Sequence, residues 1–248
     1  MIFDTLCNRA LQTISQNSPT LTNYEMGKTF TYVTLCYNNQ DFIGVTLTPS
    51  DEGDLSAIDY KNPKQLVTNC GYDLAKRAFA LACINATGQF LQDSRYTLQQ
   101  NLRQSLSQLI LKNSNTRSKI VFVGDLKPVV AKVKKQRKNV EVFCRRQNSS
   151  DRGVYSDIFE YEALAKCDIA IITGASLIGS TIDAMLAFCT KAKMVVLAGF
   201  SASGHYEWFA NTPITHIATL TTQGIDMQKC EKDMENIFNQ KSYIQGLR

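Results

Sequence analysis

The second half of the chain alternates short apolar runs with longer segments of helical spacing. The apolar runs are rich in β-branched residues and end at small or polar residues, which is typical of buried strands. We predict strands at 119–125, 140–146, 168–174, 193–199 and 214–220, and helices at 127–138, 156–167, 180–192, 205–210 and 226–240. Strands that alternate with helices predict a mostly parallel sheet with helices on both faces, and therefore a Rossmann-like α/β domain.

The first half has a different pattern. Residues 29–49 alternate apolar and polar positions and turn at Asn38-Asn39, which predicts a β-hairpin. A long, mostly buried helix is predicted at 71–91, and a further helix begins at residue 102. We therefore expect a smaller α+β domain at 1–112, a polar linker at 113–118 and the Rossmann-like domain at 119–248.

Composition narrows the class of protein. Apolar residues make up 44% of the 248 residues and charged residues 20%, which is ordinary for a soluble globular protein. No apolar run approaches the roughly 20 residues that span a bilayer, and the N-terminus lacks the pattern of a secretion signal. We therefore expect a cytoplasmic protein with no membrane partner. The eight cysteines form no CxxC pair, so most are expected to be free thiols in the core.

The net charge of +5 is concentrated in one segment. Residues 127–138, KPVVAKVKKQRK, contain six lysines and arginines and no acid. A basic helix face of this kind is able to bind nucleic acid, but the segment has no interleaved aromatic residues. A solvated helix face is the favoured interpretation, and no nucleic-acid partner is expected.

The loops after the predicted strands are the candidate functional site. In an open parallel sheet, ligands bind in the crevice at the carboxyl ends of the strands. The third loop leads into a helix at Ser180-Thr181, and a helix N-terminus can receive an anion. The loops supply these candidate ligand-binding residues: Gly124, Asp125, Thr173, Gly174, Ala175, Ser176, Thr181, Gly199, Ser201 and Ser203. The alternative is purely structural, because glycine allows tight turns and Ser or Thr caps helices.

Known cofactor signatures are missing from these loops. The first loop reads VGDLKPV rather than GxGxxG, and no GxxxxGK[ST] occurs, so neither NAD nor a P-loop nucleotide is expected. Cys144 and His205 follow the second and fourth strands, and with Asp125 they form the one candidate site for a transition metal ion or a reactive thiolate. Arg145 and Arg146 beside Cys144 would favour its thiolate form.

Two motifs carry a family resemblance. ALAKCDIAIITGASLIGSTIDAML and VVLAGFSASGHYEWF resemble the C-terminal half of the heavy-metal chelation proteins, a family of unknown function. LACINATGQ at 81–89 is similar to the family's Ala-x-x-Asn-Ala motif. The resemblance implies an enolase N-terminal-like domain before the Rossmann-like domain, and it adds Asn85 to the candidate ligand-binding residues. The chain departs from the family pattern at Gly179 and Phe200.

These observations leave two functions open. The first is a protein that binds a small anionic ligand, a metal or a metal chelate in the cleft between its two domains, in metal handling or metal-cofactor metabolism. The alternative is an enzyme that acts on a small carboxylated or phosphorylated metabolite in the same cleft, with Cys144 or His205 as the reactive group. A homodimer is common for this architecture and is expected here.

Overall fold

The computed structural model describes residues 1–49, 60–92, 98–99, 101–145, 152–222 and 242–247. The first half contains α1 (Ile2–Asn17), β1 (Thr20–Met26), β2 (Phe30–Tyr37), β3 (Gln40–Leu47), α2 (Pro63–Thr68), α3 (Leu74–Leu91) and α4 (Leu102–Lys112). The second half contains β4 (Ile120–Val123), α5 (Lys127–Lys134), β5 (Val140–Phe143), α6 (Glu160–Leu164), β6 (Ile169–Thr173), α7 (Thr181–Phe188), β7 (Met194–Ala198), β8 (His216–Leu220) and β9 (Ser242–Gly246). Within the described residues, no helix combines the length and the apolar character that crossing a bilayer requires.

The second half forms a six-stranded sheet in the order β5-β4-β6-β7-β8-β9. The first five of these strands pair in parallel, and β9 pairs antiparallel with β8. This arrangement confirms the predicted α/β class with a mostly parallel sheet. The antiparallel edge strand β9 was not predicted, and the predicted helix at 226–240 lies outside the described residues.

Both faces of this sheet are buried. Alternate residues of each strand point to opposite sides of the sheet, so each strand contributes to a core on either face. On one face, Val121, Ala170 and Val195 belong to a core shared with α1, α3, α6 and α7. On the other face, the core includes α4 and α5 together with the alternate strand residues. Val129, Val130 and Val133 are buried, as the basic segment predicts, so α5 keeps its lysines on the solvent side.

The helix α4 packs on the six-stranded sheet. Leu102, Leu106 and Ile110 lie in the same core as Ile120 of β4 and Val129 of α5. Residues Phe30, Tyr32 and Val45 of the first half join this core as well. The two halves therefore share apolar packing, and the domain division at 112 and 119 stays a prediction.

The first half contains a small antiparallel sheet in the order β1-β2-β3, covered by α3. The predicted hairpin is β2–β3, and Asn38 and Asn39 at its turn have φ values of 50° and 61°. Two residues in the left-handed backbone conformation give a two-residue turn whose twist matches that of the flanking strands. A Cβ on Gly44 would lie 1.9 Å from the carbonyl oxygen of Ala82, so only glycine allows β3 to approach α3 this closely.

Candidate functional site

The point where the strand order reverses lies between β4 and β6, because the chain runs from β4 to β5 on one side and returns through β6 on the other. Three residues at the carboxyl ends of β4, β6 and β7 form the floor of what we name the strand-end trough: Gly124, Thr173 and Gly199. Val123 pairs with Ile172 and Thr173 with Ala198, so Gly124 lies level with Thr173 and Gly199 lies one residue beyond it. At the usual strand spacing the floor is about 10 Å wide.

The two glycines keep this floor low. Gly124 and Gly199 have φ values of 98° and 103°, a backbone conformation that side chains disfavour. A Cβ on Gly124 would lie 2.9 Å from the Cβ of Thr173, whereas a Cβ on Gly199 would meet no atom within 4 Å. The strand ends of β4 and β7 therefore expose backbone rather than side chains on either side of Thr173.

Polar groups with unused hydrogen-bonding capacity lie at the trough. Asp125 is partly buried, and its carboxylate makes no hydrogen bond or ion pair among the described residues. The hydroxyl of Thr173 accepts a hydrogen bond from the backbone N–H of Ala175 at 3.4 Å and donates to no described group. Both side chains are partly accessible, as is Ala175, so a carboxylate and a hydroxyl with unused hydrogen-bonding capacity lie next to the strand ends of β4 and β6.

The remaining residues of the third loop have structural contacts. Gly174 packs against the loop after β7, where a Cβ would lie 2.6 Å from the backbone nitrogen of Ala202. The hydroxyl of Ser176 is buried and donates to the carbonyl oxygen of Thr173 at 2.8 Å. Thr181 donates to the carbonyl oxygen of Ser176 at 3.4 Å. Ser176 and Thr181 thus hold the turn that presents Thr173.

The N-terminus of α7 is covered by the first half of the chain. Ser180 has a φ of 54° and accepts a hydrogen bond from the guanidinium of Arg77. The backbone N–H of Ile2 donates to the carboxylate of Asp183 in the first turn of α7 at 2.9 Å. A negative charge belonging to the helix itself already lies at this terminus, which is favourable there. Residues of α1 and α3 therefore contact the start of α7, where the anion site at Ser180-Thr181 is predicted.

The loop after β7 is an interface with the small sheet. The hydroxyl of Ser201 lies 2.8 Å from that of Thr46 and accepts a hydrogen bond from the backbone N–H of Leu47 at 3.1 Å. The ring of Phe200 packs edge-on against that of Phe30, with centroids 4.9 Å apart. Ser201 therefore joins the two halves of the chain, and it is 4% exposed.

Asn85 and Ser203 are also buried at this interface. The side-chain amide of Asn85 donates to the carbonyl oxygen of Val45 at 2.9 Å, a bond that joins α3 to β3 within the first half of the chain. The side chain of Gln89 donates to the carbonyl oxygen of Ser203 at 3.2 Å. Asn85 Oδ1 and Ser203 Oγ are buried and have no hydrogen-bond partner among the described residues.

Cys144 and His205 follow strands that are not neighbours in the sheet. Their strands, β5 and β7, are separated by β4 and β6, which places the two strand ends about 14 Å apart. His205 is 9% exposed and its ring lies beside those of Tyr206 and Trp208. Arg145, next to Cys144, points its charge at Asp157, with Nε 2.7 Å from Oδ2; Arg146 lies outside the described residues. Among the described residues no three His, Cys, Asp or Glu side chains are grouped to hold a metal ion.

Glu160 near this ion pair was missed by the sequence analysis. Its side chain is 3% exposed, and Oε2 has no hydrogen-bond partner among the described residues. Burial, together with the negative charge of Asp157, raises the pKa of Glu160 to about 7. An acidic residue at the start of a helix is an ordinary feature of sequences, so the pattern gave no signal of its burial.

Comparison with known proteins decides the family. A family model described as DUF364, "Putative heavy-metal chelation", matches residues 108–236, just over half of the chain. The chain belongs to the DUF364 family. It is 30% identical over 238 residues to an uncharacterised protein of Methanocaldococcus jannaschii, covering 92% of this chain and 89% of that protein. The resemblance inferred from the two loop motifs is therefore confirmed.

Two solved DUF364 structures share the fold. A protein of unknown function from Pyrococcus horikoshii superposes with a TM-score of 0.84 at 21% identity, covering 99% of this chain and all of that one. A protein of unknown function from Desulfitobacterium hafniense superposes with a TM-score of 0.74 at 13% identity, with the same coverage. At these identities the likeness concerns the fold, including both the six-stranded sheet and the small sheet.

Proposed function

We propose that this DUF364 protein binds a small anionic metal chelate in the strand-end trough. The observation that carries the proposal is the row of Gly124, Thr173 and Gly199 at the reversal of strand order, where open α/β sheets bind ligands. The two positive-φ glycines leave room for a ligand to approach the backbone closely.

The polar groups at the trough suit such a ligand. The Thr173 hydroxyl donates to a carboxylate or phosphate oxygen of the chelator, and the Asp125 carboxylate completes the coordination of a hard or borderline metal. One carboxylate is too few for a resident metal site, so the metal takes most of its ligands from the small molecule. The description of the DUF364 family supports this general metal-related role.

The test is isothermal titration of the full chain with citrate, with Ni²⁺ and with the preformed Ni²⁺–citrate complex as probes. The complex is expected to bind more tightly than either component. Asp125→Asn should weaken the complex roughly ten-fold or more, since a hydrogen bond or ligand bond to a charged group is worth about 1.5–3 kcal/mol. Thr173→Val should weaken citrate and the complex alike, because it removes the donor to the chelator.

Asp41→Asn is the matched control, because Asp41 is an exposed carboxylate at the start of the hairpin strand β3. It should bind all three probes as the parent chain does. Equal loss in Asp41→Asn and Asp125→Asn, or binding of the complex that is unaffected by both trough substitutions, would contradict the proposal.

A further inference from the structure

A groove of about 390 Å³ lies between α4 and the last two strands of the six-stranded sheet. The polar side chains that line it are Gln99, Ser105, Gln108, Lys112 and His216. His216 is the first residue of β8, so it lies at the amino ends of the parallel strands, whereas the strand-end trough lies at their carboxyl ends. The groove is therefore separate from the trough and does not depend on the trough's function.

The helix α4 and the strand β9 bring these side chains together. Ser105, Gln108 and Lys112 recur at intervals of three and four residues, so they lie on one face of α4. His216 pairs with Gly246 across β8 and β9, and residues directly opposite each other share a face of the sheet. Because Gly246 has no side chain, β9 leaves the position opposite the His216 ring open.

The polar groups of the groove have unused hydrogen-bonding capacity. In the part of the chain that the structure describes, the side chains of Gln99, Ser105, Gln108 and Lys112 make no hydrogen bond or ion pair. The residues that line the groove include the ammonium group of Lys112 and no carboxylate. The groove therefore combines one positive charge with neutral groups that both donate and accept hydrogen bonds.

The contacts of Thr215 determine the tautomer of His216. Thr215 Oγ1 lies 3.0 Å from the backbone nitrogen of Val195, 3.0 Å from its carbonyl oxygen and 2.8 Å from His216 Nδ1. A hydroxyl has one proton and two lone pairs, so all three contacts are hydrogen bonds only if Oγ1 donates to the carbonyl and accepts from Nδ1–H. Burial lowers the pKa of His216, which favours the neutral ring. Nε2 is then an acceptor, and it has no partner among the described residues.

We propose that this groove binds a small phosphate monoester that carries hydroxyl groups, of the sugar-phosphate class. Lys112 attracts the phosphate as a point charge. His216 Nε2 accepts a hydrogen bond from a ligand hydroxyl, and Gln99 and Gln108 both donate to and accept from the others. The groove volume lies within the range of roughly 300–1,000 Å³ that is usual for small-molecule sites.

The test is isothermal titration of the full chain with ribose 5-phosphate, inorganic phosphate and ribose as probes. Ribose 5-phosphate should bind more tightly than either of the others. Lys112→Met should weaken ribose 5-phosphate and phosphate roughly three- to ten-fold, because it removes the charge that both probes use. Lys132→Met is the matched control, since Lys132 is also an exposed lysine in the last turn of a helix and lies in the more basic segment. It should bind all three probes as the parent does.

His216 provides a second readout. His216→Phe should weaken ribose 5-phosphate roughly two- to ten-fold, the effect of one neutral hydrogen bond, and should leave inorganic phosphate unchanged. The chain has only two histidines, so ¹⁵N NMR of the labelled rings distinguishes them. The free protein should show His216 protonated at Nδ1, and ribose 5-phosphate should shift its Nε2 signal and leave His205 unaffected.

Four outcomes would overturn the assignment. They are a parent chain that does not bind ribose 5-phosphate at millimolar concentration, equal weakening by Lys112→Met and Lys132→Met, and a shift at His205 instead of His216. The fourth is loss of ribose 5-phosphate binding in Asp125→Asn/Thr173→Val, which would locate the ligand in the strand-end trough.

Discussion

Ser201 and Ser203 lie in one loop, are buried to a similar degree and differ in their hydrogen bonds. The hydroxyl of Ser201 bonds to the Thr46 side chain and the Leu47 backbone across the interface, whereas that of Ser203 has no partner among the described residues. Replacing each serine by alanine removes the same single atom. The two substitutions should therefore have very different effects on the free energy of unfolding.

The magnitude for Ser201→Ala follows from what it leaves behind. Thr46 is fully buried and would lose its partner, whereas Leu47 is exposed and water can replace the lost bond to its N–H. One buried polar group without a partner costs about 1–3 kcal/mol, which is the destabilisation we predict. Ser203→Ala removes a buried hydroxyl that makes no such bond, so it should change the stability by less than about 0.5 kcal/mol or increase it.

Urea denaturation of both variants and the parent, followed by circular dichroism, measures this difference directly. The urea concentration at the midpoint of unfolding should fall for Ser201→Ala alone. The slope of the free energy of unfolding against urea concentration should stay unchanged. If Ser203→Ala destabilises the chain as much as Ser201→Ala, the stabilising role assigned to the Ser201 hydrogen bonds between the two halves is wrong.

Three further predictions rest on single contacts. The parent chain should lose about 3 kcal/mol of stability as the pH rises from about 4.5 to 7, because Glu160 keeps its proton to a higher pH in the folded chain than in the unfolded chain. Glu160→Gln should abolish this loss, and urea denaturation at pH 4.5 and at pH 8 measures it. Gly88→Ala should destabilise by about 1–3 kcal/mol in thermal unfolding, since its Cβ would lie 2.5 Å from the backbone nitrogen of His205. Asn39→Gly should stabilise the hairpin by up to about 1 kcal/mol in the same assay, because φ is 61°.

The parallel sheet could be predicted because its strands are buried on both faces and read as continuous apolar runs. The strand β1 gave a weaker signal, since TLTNYEM is mostly exposed or half-buried and has few apolar positions. The helix α1 was not predicted, although its buried Phe3, Leu6 and Ala10 follow helical spacing. The edge strand β9, SYIQG, has only two apolar positions and so lacks the continuous apolar run that marks the parallel strands.

The strand-end loops could be located from sequence, but their division into accessible and buried parts could not. That division depends on the contact of Ser201 with Thr46, 155 positions away in the chain. Local patterns carry no information about which loop the small sheet covers.

The most direct test of the strand-end trough is native mass spectrometry with elemental analysis on protein purified without chelators or a histidine tag. The parent chain should carry a small molecule and a metal in equal stoichiometry, and the Asp125→Asn/Thr173→Val variant, folded by circular dichroism, should lose both together. A small molecule and metal that persist in this variant, or a parent chain that has its apo mass and gains no thermal stability from Ni²⁺–citrate, would contradict the account.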